Sequence, residues 1–326
     1  MRRIRKPLLA FALAAACGGE RPLVATGCLS DRDCDPGDLC VGGRCQGASS
    51  GTPDAGAPDA GVGPDGGAVD LLDFTVTGDT RPPACDLTSL YPKEIIRAEV
   101  LQMSALAPQF ALDLGDHMFV CSANAQRANE QMQLYLQALA GFSPPWFMTM
   151  GNHECLVADC SGAVGALDAN YNAYLEALRQ VSKHDRPFYK IDITTRLGLA
   201  RLVFVADNFQ SAEQKAWLES TLSEADRIAK YTIIAKHHPI YGSRMGPLWT
   251  WPIIQKHKYS LILTAHAHAY IHPTQASGRS VVCGLGGANS SATGFCRVTQ
   301  LATGELRFIQ YDISGNPQDS WSVTPQ

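Results

Sequence analysis

From Asp70 onward, short apolar runs typical of buried strands alternate with longer amphipathic runs typical of helices. A strand pattern at residues 71–79 precedes a helix pattern at 93–106 and a second strand pattern at 109–116. Further segments of both kinds continue to a strand pattern at residues 260–265. This alternation predicts an α/β domain, and in such domains ligand sites gather beyond the carboxyl ends of the strands.

Five of these predicted strands end in side chains that bind metal ions. The five strand ends are Gly78-Asp79, Gly115-Asp116, Gly151-Asn152-His153-Glu154, Lys236-His237-His238-Pro239 and Ala265-His266-Ala267-His268. Successive side chains of a strand point to opposite faces, so two histidines separated by one residue lie on the same side. Carboxylate, amide and imidazole groups together suit a pair of Zn, Mn or Fe ions with one bridging carboxylate. The sequence therefore predicts a two-metal centre.

The ordered series GDT, GD, GNHE, HHP and AHAH resembles the five signature blocks of the calcineurin-like metallophosphoesterases, a superfamily that includes the purple acid phosphatases. The resemblance covers residues 71–313. It implies a four-layer αββα sandwich of two mixed sheets flanked by helices. It also implies hydrolysis of phosphoesters by a hydroxide held between two metal ions, without a protein nucleophile. Monoester and diester substrates are equally compatible with these motifs.

The resemblance assigns six metal ligands, with Asp116 as the bridge between two ions. The first ion would be held by Asp79, Asp116 and His268, and the second by Asp116, Asn152, His237 and His266. His153 would stay off the metals as the catalytic residue, stabilising the developing charge or protonating the leaving group. We expect Glu154 to orient His153.

Three further residues are candidates for contacts to the substrate: Arg81, His238 and Arg244. Either arginine could bind phosphate oxygens or form a structural ion pair. Arg81 stands where many family members have a metal-binding histidine, which predicts weaker binding of the first ion. Phe119 stands where purple acid phosphatases have their coloured tyrosinate, so a purple iron site is not expected. These departures leave a second interpretation open, a noncatalytic metal-containing binding or adhesion lipoprotein of the same fold.

The amino terminus predicts export. Basic residues at positions 2–6 precede the apolar run 8–16, which is too short to span a membrane. The small residues before Cys17 resemble the lipobox of bacterial lipoproteins, and this resemblance implies a signal peptide at 1–16, lipidation of Cys17 and a cell-envelope or surface location. Simple secretion is the alternative. A net charge of -4 gives no footprint for nucleic acid, and no protein partner is inferred.

Three segments follow the signal peptide. Residues 17–46 are rich in cysteine and poor in apolar side chains, so two disulfides are expected there in preference to a zinc site. Residues 47–69 contain a Pro-Asp-Ala-Gly repeat and predict a disordered linker. Residues 70–326 form the predicted catalytic domain. The proposed disulfide pairs in that domain are Cys155 with Cys160, Cys283 with Cys296 across adjacent strands, and Cys85 with Cys121.

Overall fold

The computed structural model describes residues 38–41, 44–47, 62–157, 159–241, 249–273, 276–290 and 292–326. It divides the chain into two compact units, residues 1–57 and 58–326. In the first unit, β1 (Asp38–Val41) and β2 (Arg44–Gly47) form an antiparallel hairpin with Cys40 opposite Cys45. The predicted signal peptide, Cys17 and most of the predicted linker lie outside the described residues, and those predictions stay untested.

The described part of the second unit contains strands and helices in an alternating order. The strands are β3 (Gly66–Ala68), β4 (Asp73–Thr77), β5 (Phe110–Asp113), β6 (Trp146–Met148), β7 (Tyr189–Thr195), β8 (Gly198–Val205), β9 (Tyr231–Lys236), β10 (Leu261–Thr264), β11 (Tyr270–Ile271), β12 (Ser280–Cys283), β13 (Gly294–Gln300), β14 (Leu306–Asp312) and β15 (Pro317–Val323). The helices are α1 (Lys93–Ala105), α2 (Ala125–Ala138), α3 (Gly162–Ala166), α4 (Ala169–Val181), α5 (Ala212–Ile228) and α6 (Trp251–Ile254).

These strands form two mixed sheets. One sheet has seven strands in the order β11-β12-β10-β9-β8-β7-β3, and the other has six in the order β15-β14-β13-β4-β5-β6. In the first sheet, β8, β9, β10 and β12 are parallel, whereas β7 and β11 run antiparallel to their neighbours β8 and β12. In the second, parallel β4, β5 and β6 adjoin the antiparallel strands β13, β14 and β15.

The two sheets pack face to face, with helices on their outer sides. In β8, Phe204 belongs to the core between the sheets, whereas its neighbours Val203 and Val205 belong to the core formed with α5 and α6. This is the two-residue alternation expected of a strand that is buried on both faces. Phe147 of β6 contacts Phe204 with ring centroids 5.9 Å apart, which joins the sheets. The helices α1, α2 and α4 pack against the six-stranded sheet, so the predicted α/β sandwich is confirmed.

Three differences from the sequence prediction concern element boundaries. Strand β3 lies inside the predicted linker and pairs in parallel with β7, so the folded unit begins before residue 70. The apolar pattern of residues 129–142 predicts a helix that starts at Asn129, but helix α2 begins four residues earlier at Ala125, because the Asn124 side chain accepts a hydrogen bond from the Arg127 backbone N–H. Strands β11 to β15 follow the last predicted strand, and their short or half-polar patterns gave no strong strand signal.

The three disulfide pairs predicted for the second unit are confirmed: Cys85–Cys121, Cys155–Cys160 and Cys283–Cys296. One detail differs, because Cys283 lies on β12 and Cys296 on β13, which belong to different sheets. This disulfide therefore joins the two sheets and not adjacent strands of one sheet. Within the described ranges, no helix has the length and apolar character needed for a membrane span.

Candidate metal centre

The five polar strand ends meet at one place between the two sheets. Asp79, Asp116 and Asn152 follow the adjacent parallel strands β4, β5 and β6, whereas His237 and His266 follow the adjacent parallel strands β9 and β10. Parallel strands present their carboxyl ends at the same edge of a sheet, so the two sheets supply oxygen and nitrogen ligands from opposite sides.

The backbone is turned sharply at four of the predicted metal ligands. Asp79, Asp116, His266 and His268 have φ values of 61°, 62°, 66° and 50°. This left-handed conformation is uncommon for residues other than glycine, and it is retained where the surrounding structure enforces it, often at functional sites. Here it brings the backbone N–H groups of His266 and His268 to the Asp79 carboxylate, with donor–acceptor distances of 3.0 and 2.9 Å.

The first group of ligands consists of Asp116, Asn152, His237 and His266. Oδ1 of Asn152 lies 2.8 Å from Nδ1 of His266 and 3.1 Å from Nε2 of His237. Nε2 of His237 is also 3.3 Å from Oδ1 of Asp116 and 3.2 Å from Nδ1 of His266. Nδ1 of His237 lies 2.8 Å from the Leu114 carbonyl oxygen, and donation to this oxygen leaves Nε2 as the ring nitrogen that faces the group and would bind a metal in place of a proton. Such converging lone pairs fit a metal cation.

The second group consists of Asp79, Asp116 and His268. Each offers one ligand atom, and these atoms all lie within 4.8 Å of one another. Asp116 belongs to both groups, as the predicted bridging role requires. This group also contains a cation of the chain itself, because Nη2 of Arg81 lies 3.0 Å from Nε2 of His268 and Nε of Arg81 lies 3.5 Å from Oδ2 of Asp116.

Burial and charge oppose each other at this centre. Burial raises the pKa of Asp79 to about 7, although His237 acts in the opposite direction. Burial would also raise the pKa of Asp116, but His237 and His153 outweigh it and hold this pKa well below its usual range. For His237, burial alone would lower the pKa, whereas Asp116 and Asp79 together raise it to about 9. The buried carboxylates thus require positive charge beside them.

His153 lies beside the first group and not within it. Its backbone N–H donates to Oδ1 of Asp116 at 3.0 Å, while Nε2 of its ring is 3.7 Å from Oδ2 of the same carboxylate. The side chain is 21% exposed and its ring packs edge-on against Phe119. This position is compatible with contact to a substrate, and the catalytic role of His153 stays a prediction.

Glu154 does not orient His153, and that expectation was wrong. Its carboxylate is fully buried and accepts backbone N–H groups of Gly151, Asp116 and His117 at 2.7, 2.9 and 2.7 Å. It thereby joins the loop after β6 to the loop after β5. The preference follows from the turn at Gly115-Asp116, which aims the N–H groups of Asp116 and His117 at one point, where a carboxylate satisfies them together with the N–H of Gly151.

His117 is a structural residue that the sequence analysis left without a role. Its ring is fully buried, with Nδ1 3.3 Å from Oε1 of Glu154 and Nε2 3.1 Å from Oδ1 of Asp113. Burial would lower the pKa of His117, but Asp113 and Glu154 outweigh it and raise the pKa to about 10. The signal was present in the sequence, because a histidine directly after Asp116 had two acidic residues within reach at neighbouring strand ends.

The remaining candidates differ in their positions. The His238 ring lies 4.3 Å from the His266 ring, and its Nδ1 is 3.3 Å from Oδ2 of Asp207. Asp207 follows β8, was missed by the sequence analysis, and also contacts Lys236 at 3.1 Å. His238 therefore borders the centre, whereas Arg81 lies within its second ligand group, and binding of substrate by either residue stays a prediction. Arg244 lies in residues 242–248, outside the described part of the chain.

Comparison with known proteins identifies the fold. GAP50, the anchor in the inner membrane complex of Plasmodium, is 18% identical with a TM-score of 0.58 over 79% of this chain and 90% of that chain. The purple acid phosphatase of yellow lupin seeds is 16% identical with a TM-score of 0.59 over 78% of this chain and 54% of that chain. A dimetal phosphatase from Danio rerio is 14% identical with a TM-score of 0.55 over 79% and 100% of the two chains.

A search of curated proteins found no match to this chain. The family model described as calcineurin-like phosphoesterase matches residues 73–270. This range begins in β4 and extends to Tyr270, and so includes every strand end that contributes to the centre. The chain belongs to the calcineurin-like phosphoesterase family.

Proposed function

We propose that this protein is a metal-dependent hydrolase of phosphoesters that acts through the first ligand group. The observation that supports this proposal most strongly is the convergence of Asn152, His237, His266 and Asp116, whose oxygen and nitrogen ligand atoms lie 2.8–3.3 Å from one another. A divalent ion bound there would polarise the phosphoryl group and lower the pKa of a water molecule. Membership of the phosphoesterase family supports the same reaction class.

The chain's own residues have separable roles in this proposal. Asp116, Asn152, His237 and His266 bind the cation, and the Leu114 carbonyl fixes the His237 ring in the required tautomer. His153 stands beside Asp116 with part of its ring exposed, so it can donate a hydrogen bond to the phosphoryl or leaving-group oxygen. His238 is oriented by Asp207 and lies next to His266, where it would contact a substrate oxygen.

A second candidate function is a noncatalytic binding or adhesion protein with the same fold. The observation that favours it is the guanidinium of Arg81 among the second group of ligands, because a family member that needs two metals would be impaired by it. The structurally similar GAP50 is described as an anchor, and that description applies to GAP50.

Turnover of simple substrates separates these two functions. The purified full-length protein would be stripped of metal, reloaded separately with Mn, Zn or Fe, and assayed against an aryl phosphate monoester and a bis-aryl diester. The proposal predicts hydrolysis of at least one ester above the metal-free control, and loss of that hydrolysis in His237→Ala. An exposed histidine provides the matched control, since His272→Ala removes an imidazole that pairs with Asp319. The noncatalytic function predicts no turnover with any metal.

We also propose that the protein is exported and anchored through a lipid on Cys17. The support is the basic and apolar sequence before Cys17, together with the disulfides of the described domain, which form in oxidising compartments. Labelling of a bacterial expression host with a fatty-acid analogue should tag the wild-type protein and not Cys17→Ser. Equal labelling of both would contradict lipidation at Cys17.

A further inference from the structure

The guanidinium of Arg81 occupies the second ligand group in a fixed orientation. Its Nη2 contacts Nε2 of His268 at 3.0 Å and its Nε is 3.5 Å from Oδ2 of Asp116. Outside the group, Nη1 donates to the Pro82 carbonyl at 3.2 Å, and the guanidinium carbon lies 4.3 Å above the centre of the Phe119 ring. The side chain is only 11% exposed. Contacts on both sides therefore hold the cation between Asp116 and His268.

The contact with His268 removes that residue as a metal ligand. A guanidinium has only N–H donors, so Nε2 of His268 must be the acceptor. The proton of the neutral ring then resides on Nδ1, and neither ring nitrogen offers a lone pair to a metal. Within the described residues, Nδ1 of His268 is buried without a hydrogen-bond partner. Among the described residues, Arg81 is therefore the hydrogen-bonding partner that orients the His268 ring.

The contact with Asp116 gives its two carboxylate oxygens different partners. Oδ1 lies 3.3 Å from Nε2 of His237 and so faces the first ligand group. Oδ2 faces Nε of Arg81. In a two-metal centre Asp116 would be shared by both ions. Here the second partner is a permanent cation of the chain, and a metal ion at the same place would be repelled by it.

We propose that Arg81 takes the place of the second metal ion, so that this protein binds one metal tightly at Asp116, Asn152, His237 and His266. The inference rests on the proposed function for the metal in the first group. It replaces the two-metal centre predicted from the sequence with a centre of one metal and one guanidinium. Arg81 supplies fixed positive charge beside Asp116, at the position where the other ion would otherwise act.

Metal stoichiometry tests this inference independently of turnover. Wild type, Arg81→His, Arg81→Gln and the control Arg97→His would be stripped of metal, equilibrated with Mn²⁺, and analysed for bound ions per chain. Arg97 is a suitable control because it is surface-exposed and pairs with Glu94. We expect about one ion in wild type and in Arg97→His. We expect about two in Arg81→His, with the second ion bound ~10–100-fold more tightly than in wild type, the usual scale for changes around metal ligands.

Electron paramagnetic resonance provides a second reading of the same samples. An isolated Mn²⁺ ion should be seen in wild type, whereas two Mn²⁺ ions bridged by Asp116 should be magnetically coupled in Arg81→His. Arg81→Gln removes the charge without adding an imidazole, and it should also admit the second ion, although more weakly than Arg81→His. It keeps the test valid if the histidine variant does not fold.

The outcomes distinguish this inference from the proposed function. Two tightly bound, coupled ions in wild type would overturn the role of Arg81 and leave metal-dependent hydrolysis intact. One ion in wild type and in both folded Arg81 variants would also overturn it, because the second position would then be closed for another reason. Absence of bound metal from all four proteins would overturn the proposed function itself.

Discussion

Replacing Glu154 by glutamine should destabilise the domain far more than its conservative size suggests. In the wild type, Oε2 accepts the backbone N–H groups of Gly151 and Asp116, while Oε1 accepts that of His117 and contacts its ring nitrogen at 3.3 Å. In Glu154→Gln, one of these oxygens becomes an NH₂ group that faces donors, whichever way the amide is turned. The His117 ring also loses one of its two anionic partners.

The magnitude follows from those contacts. The variant loses at least one strong hydrogen bond to a buried charged acceptor, which costs ~1.5–3 kcal/mol of stability. It also leaves a buried N–H without a partner, which costs a further ~1–3 kcal/mol. Removing one partner of a buried ion pair costs ~3–5 kcal/mol in comparable cases. We therefore expect the free energy of unfolding to fall by ~3–5 kcal/mol. For a domain of this size that corresponds to a decrease of roughly 6–20 °C in Tm.

Urea unfolding with intact disulfides would measure this change. The experiment should contain a chelator, because metal binding would add its own stabilisation to the folded state. Glu130→Gln is the matched control, since Glu130 is a surface residue that pairs with Arg127 at 3.3 Å, and it should lose no more than ~1 kcal/mol. A loss below ~1 kcal/mol in Glu154→Gln would refute the structural role given to this carboxylate.

Three other predictions concern the metal centre, the packing at Gly284 and an ion pair on β7. His153→Ala should retain metal while turnover falls ~10²-fold, whereas Asn152→Ala should lose activity through loss of metal and regain part of it with excess metal; loss of metal from His153→Ala would contradict the assignment. Gly284→Ala should cost ~1–3 kcal/mol on urea unfolding, because the added Cβ would lie 2.0 Å from Oδ2 of Asp79; an unchanged midpoint would contradict this packing. Burial would raise the pKa of Asp192, but hydrogen bonds from Arg201 and Lys190 outweigh it and lower this pKa. A lowered folded-state pKa stabilises the protein at pH values above the unfolded pKa of ~3.9, and this stabilisation is lost as the pH falls through the folded-state pKa. The free energy of unfolding of Asp192→Asn should therefore fall less steeply below pH ~4 than that of the wild type. Identical slopes for the two proteins would contradict this prediction.

The sequence predicted the strand ends well because their chemistry is local. The apolar run YTIIAK at residues 231–236 predicts a strand with the bounds that β9 has, and its carboxyl end delivers His237 to the centre as expected. Parallel pairing of β4 with β5 and of β9 with β10 then brings distant motifs together without further information. The three disulfides of the second unit were likewise predictable, because each cysteine lies close in the chain to a strand end or a tight loop.

What the sequence did not show depends on contacts between elements. The partners of Glu154 are mainly backbone N–H groups, which carry no residue-specific signal. Asp207 lies at a strand end like the predicted ligands, yet only the position of β8 beside β9 directs it towards His238. The position of Arg81 between Asp116 and His268 could be seen only from the side-chain geometry. The sequence motif alone is also compatible with a guanidinium that lies outside the ligand group.

In the proposed function, a cation held by Asp116, Asn152, His237 and His266 makes this chain a phosphoesterase. The most direct test is a titration of metal-free protein with Mn²⁺ in which bound metal and hydrolysis of an aryl phosphate are measured in the same samples. We expect that turnover rises in proportion to bound metal, reaches its plateau near one ion per chain, and is absent from a His237→Ala, His266→Ala double variant. Wild-type protein that binds the ion fully yet hydrolyses the ester no faster than the double variant would contradict it.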